Sequence, residues 1–235
     1  MSKARTTLFP NGVSNASANS FEGLANLRTL DPTKYHTFFD DFDTYDAGDW
    51  TVTETGVATQ ALTDADGGAL LVTNAAADND VSASQLVGES FSYAAGKELW
   101  FKARLQISDA TESDLICGFW IKTATAPITT PPTDGIYFRK DDGAATIDFI
   151  LNKDSTESVS SAIATLADAT DVELAFHYDG AGTFRAYVDD ALAATQTTLT
   201  NVPDDEILTL GFAIQNGEAV AKTMTVDYVL GAKER

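Results

Sequence analysis

Cysteine and histidine are nearly missing from this 235-residue chain, at one and two residues. A single thiol forms no internal disulfide. Cys117 sits in the apolar run Leu115-Ile116-Cys117-Gly118-Phe119-Trp120-Ile121, where a small buried core residue is expected rather than a nucleophile. His36 and His177 stand far apart with nothing to order a zinc site or a Ser-His-Asp triad around them. His177 alternates with Phe176 and Tyr178 and is expected on the solvent side of a strand. Phosphate loops and dinucleotide fingerprints are absent too, so no cofactor is expected.

Basic residues are scarce as well, 15 against 35 acidic, for a net charge of −20. Phosphate contacts need Lys and Arg, so neither nucleic acid nor an anionic membrane is an expected partner. No apolar run approaches the roughly 18–20 residues of a membrane span. The start Met1-Ser2-Lys3-Ala4-Arg5 has no apolar signal core, so synthesis in a cytoplasm without general export is the expectation.

What is present divides into two parts. Residues 1–35 carry four basic and two acidic residues, leaving 11 basic and 33 acidic for the rest. This segment holds the small polar stretch from Asn11 to Ser20, then Phe21, Leu24, Leu27 and Leu30 at near-helical spacing before Asp31-Pro32. It reads as an extended N-terminal arm. From residue 36 to 235 the pattern is period two, the mark of half-buried strands. Leu99-Trp100-Phe101-Lys102-Ala103-Arg104-Leu105-Gln106-Ile107 alternates, as do the segments from Val172, Phe184 and Met224. Asp66-Gly67-Gly68, Asp141-Asp142-Gly143, Asp179-Gly180 and Asn216-Gly217 punctuate them as turns. Thr123 to Asp134, with three prolines, reads as a long loop, and Ser160 to Thr170 as a loop or one helical turn. The fold class is all-β: a two-sheet antiparallel sandwich of one domain.

Several segments resemble the concanavalin-like lectin and laminin-G superfamily. Phe39-Asp40-Asp41-Phe42 followed by Asp49-Trp50 is similar to its opening strand. Phe176-His177-Tyr178-Asp179-Gly180 followed by Phe184-Arg185-Ala186-Tyr187-Val188-Asp189-Asp190 resembles a hairpin usually spelled YDG…yvDG, with Asp190 in place of the last glycine. Asp227-Tyr228-Val229 is similar to its closing strand. The resemblance implies a jelly-roll sandwich but no particular activity. In layout the whole chain also resembles head decoration (cement) proteins of tailed bacteriophages.

Glycanases of this superfamily resemble one another in a strand of Glu-x-Asp-x-Glu type, and no such triplet occurs. The clusters Asp40-Asp41-Asp43, Asp64-Asp66, Asp78-Asp80 and Asp189-Asp190 fit turns better than catalysis or a calcium loop. No catalytic and no metal residues are therefore assigned. Two functions remain in play. The first is a virion protein on the outside of a phage head, bound to the major capsid protein and to neighbouring copies as a dimer or trimer. Arg5, Phe9, Phe21, Leu24, Leu27 and Arg28 of the arm would touch the shell. The second is a carbohydrate-binding module, with Trp100 and Tyr137 as the glycan-facing aromatics.

Overall fold

A computed structural model describes residues 33–65 and 67–235. Among these residues the regular elements are strands. In chain order they are β1 (Tyr35–Asp40), β2 (Trp50–Thr55), β3 (Ala58–Leu62), β4 (Leu70–Asn74), β5 (Val81–Leu86), β6 (Leu99–Ile107), β7 (Ser113–Trp120) and β8 (Gly135–Lys140). They continue with β9 (Thr146–Lys153), β10 (Thr156–Thr165), β11 (Val172–Tyr178), β12 (Phe184–Val188), β13 (Ala191–Gln196), β14 (Thr209–Asn216) and β15 (Thr223–Glu234).

Two antiparallel sheets pack face to face. The eight-stranded sheet runs β13-β12-β11-β6-β15-β4-β3, with β1 also paired to the far half of β15. The seven-stranded sheet runs β10-β9-β8-β7-β14-β5-β2. Period-two sequence becomes two-faced strands. Leu99, Phe101, Ala103 and Leu105 of β6 enter the main core while Lys102 and Arg104 leave it. Phe176 is central to that core, with ring centroids 5.4 Å from Phe101, 5.6 Å from Phe119 and 5.5 Å from Phe149. Cys117 lies in the same core, as its apolar run predicts.

Polar side chains lock one end. The Asn74 amide on β4 donates to Asp80 O at 3.0 Å and to Ile214 O on the opposite sheet at 3.2 Å. Lys222 is buried beside it and is held by Asp109 at 2.6 Å and Glu218 at 2.7 Å.

Ser160 to Thr170 departs from its expected loop or turn. Its first half belongs to β10, an edge strand with a register break between Ser160 and Ala164. Much of that strand is exposed, so its small polar residues carry no apolar alternation to reveal it.

Candidate functional site

The outward face of the seven-stranded sheet gathers the site-like features. Alternation along β8 turns Tyr137 and Arg139 away from the core, and β9 does the same for Ile150 and Asn152. Ala83, Ile116, Trp120, Tyr137, Ile150 and Ala213 form a buried cluster on this face, and Ile128 packs onto it. Ile128 belongs to the proline-rich loop, residues 121–134, which folds back over the sheet.

The loop is pinned at both ends. Ile121 N–H donates to Asp134 O at 3.1 Å, closing its neck. The Gln85 amide donates to Ile121 O and accepts from Thr123 N–H, both at 3.2 Å. Asn152 Nδ2 donates to Pro132 O at 2.6 Å, and Ser155 N–H donates to Thr133 O at 2.8 Å. Pro127, Pro131 and Pro132 bring no N–H, which lowers the number of donors the loop must satisfy.

Between this loop and the ends of β7 and β8 lies a cavity of about 200 Å³. Prolines and Ile128 form one wall, while Tyr137, Arg139, Asp114 and Asp141 supply polar atoms. Arg139 forks onto Glu157, Nη1 to Oε1 at 2.6 Å and Nη2 to Oε2 at 3.2 Å, the geometry that suits a guanidinium and a carboxylate. Tyr137 OH donates to Glu157 Oε1 at 3.3 Å. Burial pushes the Tyr137 phenol up and the Asp114 carboxyl up, the latter opposed by the N–H of Asp142. Burial pulls the Lys140 ammonium down, and that group donates to Thr111 O at 3.2 Å and to Ser113 O. Both cations that line the cavity are thus already engaged, Arg139 by Glu157 and Lys140 by backbone carbonyls, and the phenol is held neutral. Such a set can hold a small polar ligand. It offers no nucleophile joined to a base, and the Cys117 thiol is pushed up by burial inside the core. Among the described residues no group of three or more His, Cys, Asp or Glu is placed to hold a metal ion.

The aromatics proposed from the sequence lie on different sheets, and both are buried. Tyr137 is 0% exposed beneath the loop, although it lines the cavity. Trp100 points out of the eight-stranded sheet, as alternation requires, yet it is 1% exposed and stacks on His177 at 5.2 Å. Neither presents an open ring face to a glycan. The same stack half-buries His177, which the sequence placed toward solvent; the side of the strand is as expected, the hydration is not. Asp189 and Asp190 form the turn expected of them, both at positive φ. Asp66 lies outside the described residues, as do all six arm residues, Arg5, Phe9, Phe21, Leu24, Leu27 and Arg28. The Arg139–Glu157 fork was not foreseen. Period two alone puts Tyr137 and Arg139 on one face, but bringing Glu157 there takes the pairing of β10 with β9.

No family model matches the chain, and no curated protein does. Solved structures match in fold. Peanut lectin aligns over 85% of this chain and 97% of its own, with a TM-score of 0.58 and 10% identity. An endo-1,3-beta-glucanase from Streptomyces sioyaensis covers 86% and 97%, with a TM-score of 0.55 and 17% identity. An endo-beta-1,4-glucuronan lyase from Trichoderma reesei covers 83% and 94%, with a TM-score of 0.55 and 10% identity. The fold is therefore the concanavalin-like jelly-roll sandwich. Identities this low carry the fold alone, and lectin and enzyme names both occur on it.

Proposed function

We propose that this chain is a non-enzymatic virion protein, decorating the outer surface of a tailed-phage head. Its partners would be the major capsid protein and neighbouring copies of itself, as a dimer or trimer. The observation that carries this reading is the closed outward face of the seven-stranded sheet. The chain's own loop occupies the surface that an extended ligand would need, which favours a rigid building block over a reader of polymers. The charge distribution agrees: an acidic body stays soluble while crowded on a particle, and the slightly basic arm supplies attachment. Mixing the full chain with undecorated capsids tests it. Saturable co-sedimentation that weakens in a combined Arg5→Ala and Phe9→Ala variant supports arm attachment. Undiminished binding by that variant rules the arm out.

The second reading is a carbohydrate-binding module, and the cavity beside Tyr137 and Arg139 is what favours it. A peanut lectin among the fold neighbours suits that class of ligand. It predicts signal on a glycan array that disappears with Arg139→Ala, and a silent array removes it.

A further inference from the structure

The cavity beside the proline-rich loop contains one group that the chain itself leaves unmet. Asp114 of β7 lines it, half-buried, together with Pro127, Ile128, Pro131 and Tyr137. Its Oδ1 accepts from Asp142 N–H at 2.7 Å. Among the described residues its Oδ2 accepts no hydrogen bond and belongs to no ion pair. Neither cation beside it is free to serve. Arg139 forks onto Glu157, and its Nε lies 3.3 Å from Asp141. Lys140 donates to the Thr111 and Ser113 carbonyls. Burial raises the Asp114 carboxyl, as it must when a carboxylate loses water without gaining a cation of its own.

The surroundings have the sign and the shape for a cation. Asp114, Asp141, Asp142 and Glu157 stand against Arg139 and Lys140, four negative charges against two positive. The whole chain carries −20, which raises the local concentration of cations. Pro127, Ile128 and Pro131 make an apolar wall, and proline brings no N–H to it, so the wall suits a hydrocarbon stem. At about 200 Å³ the cavity is smaller than the ~300 Å³ at which drug-sized pockets begin, which sets a short ligand. A single open oxygen meets an ammonium, a point donor. A guanidinium needs two oxygens side by side, and Arg139 has already taken that pair on Glu157.

We propose that this cavity is a socket for a primary ammonium on a short hydrocarbon stem, with the charge on Asp114 and the stem against Pro127, Ile128 and Pro131. The ligand is a free alkylamine or a lysine side chain of a partner. The inference uses the cavity of the carbohydrate reading but does not rest on that reading, because a neutral sugar brings no charge to Asp114.

Titration of the full chain tests it, followed by calorimetry and by the NMR signal of the Ile128 methyl. The probes are n-butylamine, Nα-acetyl-lysine methylamide, the Nε-acetylated form of the latter, and its arginine counterpart. Saturable binding of n-butylamine at millimolar concentration is expected, with a shift of the Ile128 methyl. The lysine probe separates the sources: binding at least as tight as n-butylamine assigns the socket to a side chain, and binding by n-butylamine alone assigns it to a free amine. Asp114→Asn keeps an acceptor for Asp142 N–H and should weaken binding roughly tenfold or more, the scale of a lost hydrogen bond to a charged group. Should that variant not fold, the methyl shift in the parent chain decides. The proposal is overturned by no saturable binding of n-butylamine, by an unmoved Ile128 methyl, by unchanged affinity in folded Asp114→Asn, or by equal binding of the acetylated or the arginine probe. A silent glycan array removes the sugar reading and leaves this one standing, so the two fail separately.

Discussion

Asp154 and Ser155 form the two-residue turn between β9 and β10 at φ 50° and 62°. Both angles are left-handed, as the twist of a tight hairpin demands, and asparagine, aspartate or glycine suit them best. Ser155 is exposed and bears a Cβ that glycine lacks. Ser155→Gly is therefore expected to stabilise the fold by about 1 kcal/mol, measured by urea unfolding. The hairpin at Asp189 and Asp190 has the same geometry, which explains how aspartate stands where the superfamily pattern has glycine. His177 gives a pH dependence. Burial lowers it from 6.5 to about 4, with Asp179 opposing and Arg185 assisting. Between those values the unfolded imidazole binds a proton that the folded one refuses. Stability is thus complete above pH 6.5 and falls as pH drops toward 4, by roughly 3 kcal/mol at the acid end. Urea unfolding at pH 7 and pH 4.5 should show a smaller acid loss in His177→Gln than in the parent chain.

At the scale of elements, the strands with strong alternation were legible in the sequence. β6, β11, β12 and β15 each alternate core-facing apolar residues with an outward side that is mostly polar, broken by Trp100, Ala175, Tyr187 and Ala232. β10 was not, because an exposed edge built of Ser, Ala and Thr leaves no period to read. The loop over residues 123–134 was legible from its prolines, but its fold-back onto the sheet was not. That depends on Gln85 and Asn152, single amides on strands distant in sequence whose partners are backbone carbonyls. Asn152 is 2% exposed, and its amide holds Pro132 O. Asn152→Ala should cost about 1–3 kcal/mol by leaving that carbonyl unpaired. Amide exchange over residues 121–134 should quicken while the core strands stay protected. Unchanged exchange there would show that Asn152 does not hold the loop.

Over the whole molecule, the sandwich class followed from period-two patterning and turn spacing, because a core between two sheets imposes alternation on strands with one face in the core and one in water. The candidate site was less visible. Burial of Tyr137 comes from the loop that folds back over its sheet, and Trp100 is stacked on His177 and packed by Tyr35; a strand's own sequence encodes neither contact. The charge of −20 with a slightly basic arm is a property of the entire chain, and under the proposed capsid reading it would bear on attachment. An acidic body held by a basic, apolar arm should bind through buried area more than through long-range attraction, so salt should weaken it little. The most direct measurement is co-sedimentation of the full chain with undecorated phage capsids at low and high salt. The account predicts saturable binding with a fixed number of copies per shell, largely kept at high salt. Failure to co-sediment at either salt concentration would contradict it.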